Sequence, residues 1–350
     1  MNALKILFLL SLSMLNFKMT AQIDDLLKNK DITWIAETYN DFAIHESFEA
    51  DAGQNSSRSI PLKLINKSQG MLSETYAIQE WLIEAVKNEQ LPIFDDENLK
   101  QKQSYKIITN ADIITEIDPI TFLTRVKVVV NNLYIPNILL FRAKQIIFYN
   151  SKKAQFGMRT LAVAPIYNYR DYDYNTNLVV NTPKPLFWFK PQDLNKTQRL
   201  SKKNITWAKR MSLVNGLAIH SDSVKILKKV AESMPLAHLF LAVKTNRRLP
   251  FYKNETGIEP RKKIPFEERK NMFSRNDTLR ILDPLTYTES YKMITEETKP
   301  SDCESLQLIQ NWYWNDRKKR LEIYLVATAP LKDSYFGGYK MPLFYCRTDD

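Results

Sequence analysis

Glycine, cysteine and histidine are scarce in this chain, and each shortage removes a class of function. Seven glycines in 350 residues leave little from which to build Gly-rich phosphate loops or flexible linkers. No Gly-x-Ser-x-Gly, Walker loop or dinucleotide fingerprint is present. The three histidines, His45, His220 and His238, lack His-x-x-x-His spacing and a Cys pair at metal-binding spacing, so no metal and no other cofactor is expected. After the first residues, no stretch approaches the roughly 20 apolar residues of a membrane-spanning helix, which predicts a soluble mature protein. The shortages together read as a protein that is not an enzyme.

What the chain does contain, it contains twice. Asp118-Pro119-Ile120-Thr121-Phe122 returns as Asp283-Pro284-Leu285-Thr286-Tyr287, and the register holds without a gap to Ala164-Pro165 and Ala329-Pro330. Ile32-Thr33-Trp34 returns as Ile205-Thr206-Trp207, Ala85-Val86-Lys87 as Ala242-Val243-Lys244, and Pro185-Leu186-Phe187 as Pro342-Leu343-Phe344. Matches in one order read as a tandem duplication. Upstream, a basic start at Lys5, an apolar run from Ile6 to Leu15 and small residues at Met19-Thr20-Ala21 read as a secretory signal peptide cleaved after Ala21. The expected layout is a leader over 1–21 and two repeats over 22–195 and 196–350.

The net charge is +11. In an exported chain this favours anionic lipid, glycan or protein surfaces over nucleic acid. The densest basic block, Arg261-Lys262-Lys263 with Arg269-Lys270, reads as a solvated loop face.

Both copies predict the same elements. Ser73 ahead of Tyr76, Ile78, Trp81, Leu82, Ala85 and Val86 has the spacing of a capped amphipathic helix ending before Leu91-Pro92. Asp118-Pro119 and Asp283-Pro284 read as openings of a second helix, with Asp as N-cap and Pro at the first helical position. The period then changes to two. Strands are expected at Gln145–Tyr149 and Gln310–Trp314, then a turn, a strand ended by Pro165 or Pro330, and a third strand at Leu186–Phe189 or Leu343–Cys346. The predicted fold class is α+β: two tandem repeats, each with two helices followed by a three-stranded antiparallel meander.

Candidate sites are few. Asp95-Asp96-Glu97 is a carboxylate cluster, but its counterpart is Lys253-Asn254-Glu255, which argues against a duplicated acid pair. Cys303 and Cys346 occupy positions where the first copy has Ile138 and Phe189. In an exported chain they are candidates for a disulfide worth on the order of 4 kcal/mol, with two buried free thiols as the alternative.

The second meander, Ile309-Gln310-Asn311-Trp312-Tyr313-Trp314-Asn315-Asp316, then Leu321 to Ala329-Pro330, then Pro342-Leu343-Phe344-Tyr345, resembles the GldN/PorN family. The first copy keeps the pattern at Ile147–Asn150, Ala162–Pro165 and Leu186–Trp188. The resemblance implies a periplasmic structural subunit of the type IX secretion and gliding machinery of Bacteroidetes. It would lie peripheral to the outer membrane and be held there by partners. Those partners are a GldK/PorK-like outer-membrane lipoprotein ring, other secretion components and further copies of the chain itself. The family carries one such unit and continues into a helical segment; this sequence carries two and ends at Asp350. On that reading Trp188, Trp312 and Trp314 are candidate partner-binding anchors, with half-core strand aromatics as the alternative. A different class of function is an exported binding module for anionic glycan or peptidoglycan.

Overall fold

A computed structural model describes residues 23–43, 58–61, 77–105, 111–117, 124–130, 138–173, 178–194, 204–216, 224–230, 234–253, 262–282, 284–303, 305–333 and 340–348. After a short helix α1 (residues 23–28), the first half runs β1 (Ile32–Ala43), β2 (Arg58–Pro61), helix α2 (Ala77–Lys87), β3 (Ile93–Phe94), β4 (Lys102–Gln103), β5 (Ala111–Ile117), β6 (Thr124–Val130), β7 (Ile138–Asn150), β8 (Gln155–Asp173), β9 (Leu178–Pro185) and β10 (Gln192–Asp193). The second half runs β11 (Ile205–Gly216), β12 (Val224–Lys229), helix α3 (Pro235–Thr245), β13 (Tyr252–Lys253), β14 (Lys262–Lys263), β15 (Ser274–Leu282), β16 (Glu289–Glu297), β17 (Ser305–Asn315), β18 (Arg320–Asp333), β19 (Lys340–Pro342) and β20 (Cys346–Arg347).

The protein is mostly β, built on curled antiparallel sheet, and the expected α+β repeats of two helices and a meander are not what forms. The first sheet has the order β12-β1-β7-β8-β9 and the second β10-β18-β17-β11-β2, with β19 and β20 also on β18. Each central trio comes from one half. The strand beside it comes from the other: β12 pairs with β1, and β2 pairs with β11.

The trios share their irregularities. Ile32 lies opposite Asn150 and Trp34 opposite Tyr149, with a shift between them; Ile205 lies opposite Asn315 and Trp207 opposite Trp314, again with a shift. A second shift falls between Lys144 and Gln145 and between Ile309 and Gln310. A bulge re-aims the side chains that follow it. The extra residues are Leu161 of β8 and Val326 of β18, opposite Gln145 and Gln310, which lie between the sheets and are each fully buried. Gln145 Nε2 donates to Gln310 Oε1 at 3.1 Å and Gln310 Nε2 to Gln145 Oε1 at 3.3 Å. Asn40 and Trp312 donate to the same two oxygens, and Gln145 also donates to Thr160. Around this satisfied polar pair Phe42 meets the Trp312 ring at 4.6 Å, and the inner faces of both sheets merge into one apolar core.

Several sequence expectations need correction. Pro284 to Thr286 form the turn of the β15–β16 hairpin, not a helix start; Asp118-Pro119 lies outside the described residues, between β5 and β6. Asp-Pro suits the first two positions of a turn as well as it suits a helix N-terminus, and the β-rich flanks decide between them. Pro165 and Pro330 do not end their strands. They pair with Phe141 and Leu306, and their carbonyls accept from Leu186 and Leu343 at 3.0 and 3.1 Å. The third strands are reduced to bridges, Phe94 with Trp188 and Val163 with Phe189, while β9 and β19 take the places beside β8 and β18.

The helix expected before Leu91-Pro92 does form, although Ser73 lies outside the described residues. It ends with Glu89 in the left-handed region (φ 56°) and Gln90 N–H on the Ala85 carbonyl at 2.9 Å, a Schellman-type stop without glycine. Arg269 is not part of a solvated basic face. It is buried, donates to the carbonyls of Ile264, Asn246 and Leu249, and lies over Phe251.

Candidate functional site

The three tryptophans proposed as anchors are core residues. Trp188 is 5% exposed, and Trp312 and Trp314 are fully buried. Strand alternation puts Trp312 and Trp314 on the inner face with Gln310, so neither can meet a partner on the surface.

Cys303 and Cys346 are buried free thiols, not a staple. Cys346 lies opposite Thr328 on β18, whereas Cys303 precedes Ser305, whose partner is Leu331. Three residues along a strand span about 10 Å, beyond the roughly 7 Å that a disulfide allows between Cα atoms. Burial pushes both thiols up to about 12, which leaves almost no reactive thiolate at neutral pH.

The carboxylate cluster is structural. Asp96 accepts backbone N–H groups from Asn98 at 2.6 Å and from Lys100 and Gln101 at 3.3 Å, which closes its own turn. Glu97 accepts the Tyr39 hydroxyl at 2.6 Å and faces Lys144 at 3.6 Å. Burial, then the hydrogen bond to Glu97, pushes the Tyr39 hydroxyl well above its ordinary range. His238 Nδ1 shares a 2.8 Å hydrogen bond with the Tyr149 hydroxyl, tying α3 to β7. His45 and His220 lie outside the described residues. Among the described residues no cluster of three metal-ligating side chains occurs, and no helix is long and apolar enough to cross a membrane.

Two features that the sequence reading missed stand out instead. The first is an arm. β15 and β16 pair only with each other among the described residues, from Ser274 opposite Glu297 to Leu282 opposite Glu289. Every residue of β16 is exposed. Large apolar side chains stand in solvent along the arm and at its tip: Leu285 is 89% exposed, Tyr287 77%, Met293 72% and Tyr291 67%. Leu279 and Ile281 point to one face and Leu282, Tyr291 and Met293 to the other, as the pairing register requires. The base is rooted. Phe273 stacks on Phe240 of α3 at 4.6 Å, and Lys244 of α3 bonds Glu297 at 2.9 Å. A two-stranded ribbon with apolar side chains on both faces has no core of its own, and contiguous exposed apolar surface marks an interaction site. The signal that could have found it is alternation on either side of Asp283-Pro284, obscured by the helix-start reading of that dipeptide.

The second feature is a cleft of about 680 Å³ where β10 crosses from the first half onto the second sheet. Arg159, Lys190 and Arg320 line it together with Gln192 and Asp193. Thr160 donates its backbone N–H to Asp193 Oδ2 at 2.8 Å. Asp193 Oδ1 and Gln192 Oε1 are shut off from solvent without a hydrogen-bond partner. Burial pushes the Asp193 carboxyl up to about 7, against the downward pull of the Thr160 hydrogen bonds and the charges of Arg159 and Lys190. No local pattern marks Asp193, because its neighbours come from β8 and β18.

No curated protein matches the chain. Residues 62–216 match the family model described as gliding motility associated protein GldN. The matched segment begins just after β2, includes the first-half pattern from Ile147 to Trp188 and ends with the last residue of β11. On this match residues 62–216, somewhat under half of the chain, are similar to the GldN/PorN family of gliding-motility and type IX secretion components, which is not a family of enzymes.

Proposed function

We propose that this chain is a periplasmic structural subunit of the type IX secretion and gliding machinery, and that the β15–β16 arm is a surface by which it joins its partners. The partners on this reading are an outer-membrane lipoprotein of the GldK/PorK type and neighbouring secretion components. The leader over 1–21 exports the chain, and the two units over 22–195 and 196–350 descend from a tandem duplication. The observation that carries the assembly role is the arm: a rooted ribbon with Leu285, Tyr287, Tyr291 and Met293 in solvent. Tyr is a frequent hot-spot residue at protein interfaces, and the arm's strand edges, unpaired among the described residues, also suit strand addition by a partner. The reciprocal pairing of Gln145 with Gln310 and the matching bulges support the duplication.

Crosslinking of intact cell envelopes, followed by affinity purification of the tagged chain and mass spectrometry, tests this reading. The lipoprotein and other secretion components are expected with the wild type and depleted with a Leu285→Ser/Tyr287→Ser/Met293→Ser variant. Recovery of cell-wall fragments without secretion components would overturn assembly and favour the glycan- or peptidoglycan-binding module. Equal recovery by the variant would remove the arm from the interface.

A further inference from the structure

The two helices α2 and α3 hold equivalent places in the two halves but show different chemistry to solvent. Glu80, Glu84 and Glu89 are exposed along α2 and just past its end. Carried across by the repeated Ala-Val-Lys and Leu-Pro pairs, these positions become Ala237, Leu241 and Arg247. Leu241 is 58% exposed, and Met234, seven residues earlier at the N-cap of α3, is 69% exposed. Seven residues bring a helix back to the same stripe.

Cations gather where α3 ends. Arg269 donates to the carbonyls of Asn246 and Leu249, which pins the short helix Phe266–Arg269 beside Arg247 and Arg248. Arg247 and Lys270 lie over the Phe266 ring at 4.9 and 5.9 Å. Arg247, Arg248, Lys263 and Lys270 are all exposed. The described acids of this segment are Glu267 and Glu268, and Lys253 bonds Glu268 at 3.1 Å.

Exposed apolar side chains beside exposed cations suit peripheral contact with anionic lipid, in which cations meet headgroups and apolar groups enter the acyl boundary. Such a contact needs no cleft. A second copy of the chain matches less of this surface. Its α2 region supplies acids, but every large apolar residue there, from Ile78 to Tyr105, is buried or half-buried, so Met234 and Leu241 would stay uncovered.

We propose that the α3 lobe rests on an anionic phospholipid surface, with Arg247, Arg248, Lys263 and Lys270 at the headgroups and Met234 and Leu241 at the acyl boundary. The 11 residues of α3 span about 16 Å, so the helix lies on the ~30 Å hydrocarbon core and does not cross it. This contact does not depend on the assembly role of the arm.

Flotation of the mature chain with lipid vesicles tests it. The vesicles are phosphatidylcholine alone or an equal mixture with phosphatidylglycerol. Binding is expected to the mixed vesicles, at least about ten-fold weaker to the neutral ones, and lost in ~0.5 M salt. One basic side chain near such a surface changes affinity about five-fold, so Arg247→Gln with Arg248→Gln should weaken binding about ten-fold or more. Leu241→Glu, which gives α3 the residue that α2 carries, should weaken it by a similar factor. Its melting temperature should be kept, because the site is exposed. Leu285→Ser with Tyr287→Ser on the arm should bind vesicles like the wild type. No binding at ~1 mM anionic lipid, equal binding to neutral vesicles, or loss only with the arm variant would overturn the proposal. Absence of vesicle binding, with a crosslinked protein lost from the Leu241→Glu variant, would overturn it in favour of an acidic protein partner. Should a variant misfold, the comparison of lipid compositions on the unaltered chain still decides.

Discussion

The two halves use one strand plan but finish their outer faces differently. On the first sheet Ile35 and Ile146 face outward and are buried beneath Leu26 of α1, with Ile23 and Leu227 packed beside them. The equivalent positions of the second sheet hold Ala208 and Asn311; Asn311 accepts from Arg210 at 2.9 Å and donates to the Tyr313 hydroxyl at 3.0 Å. Both outer faces are buried, the first by apolar packing and the second around a polar group whose buried atoms are hydrogen-bonded to one another. Inward, both halves agree, down to a bulge opposite a glutamine that meets its counterpart. The inner face is therefore the framework, and the outer faces, the arm and the β10 crossing are where the halves differ.

The largest effect is expected where the inner faces meet. Trp312→Ala removes a fully buried ring that packs on Phe42 and donates to Gln310, and should cost about 3–5 kcal/mol in chemical denaturation. Its counterpart Ile147, also buried, should cost about 2–5 kcal/mol as Ile147→Ala; a much smaller cost would show that the second half alone holds the core. Exchanging outer-face chemistry comes next. Ile146→Asn buries an amide under α1 with no hydrogen-bond partner of the Arg210 kind, and a loss of about 2–4 kcal/mol is expected. Loss of under about 0.5 kcal/mol would mean that α1 is not the cover its packing indicates.

The glutamine pair supplies a more sensitive test. Gln145→Leu strands the Gln310 amide and should cost about 1–3 kcal/mol, while Gln145→Leu with Gln310→Leu should cost less than the sum of the single changes. Strict additivity in a double-mutant cycle would deny that the two amides act as a unit.

Asp193 gives a pH signature of similar or smaller size. Its carboxyl, raised to about 7 in the fold from 3.8, binds its proton more tightly in the native than in the unfolded chain. Between about pH 4 and pH 7 stability is therefore lost as pH rises, and the cost persists above that window. Asp193→Asn should raise stability by about 1–3 kcal/mol at pH 8 and change it little at pH 4. Thermal melts at the two pH values check this, and a gain at pH 4 equal to that at pH 8 would refute the assignment. Smallest is the arm. Leu285→Ser and Tyr287→Ser, both far into solvent, should move stability by less than about 0.5 kcal/mol, so any loss of partners reports on contact, not on folding.

Much of this was legible in the residues. Period-two patterns located β7, β8, β17 and β18, the spacing from Ile78 to Val86 located α2, and the aromatic strand ends pointed to the family. The fold class was misread because β1 and β11, which complete the central trios, were not read as strands, and because one dipeptide was taken for a helix start. Asp-Pro carries equal local information for a helix start and for a hairpin turn, and only the pairing of β15 with β16 resolves it. Trp312 and Trp314 were misplaced for a related reason: alternation says that a strand has two faces but not which of them meets another sheet.

The sequence by itself determined helix α2, the strand pairs β7–β8 and β17–β18 and the turns after Asn150 and Asn315, because each rests on contacts between near neighbours. Only the tertiary structure decided which sheet receives β2 and β12, which face of each strand is buried, and which residues surround Asp193. Those outcomes depend on side chains more than a hundred residues apart, as Gln145 and Gln310 are, and no local pattern encodes a partner at that distance.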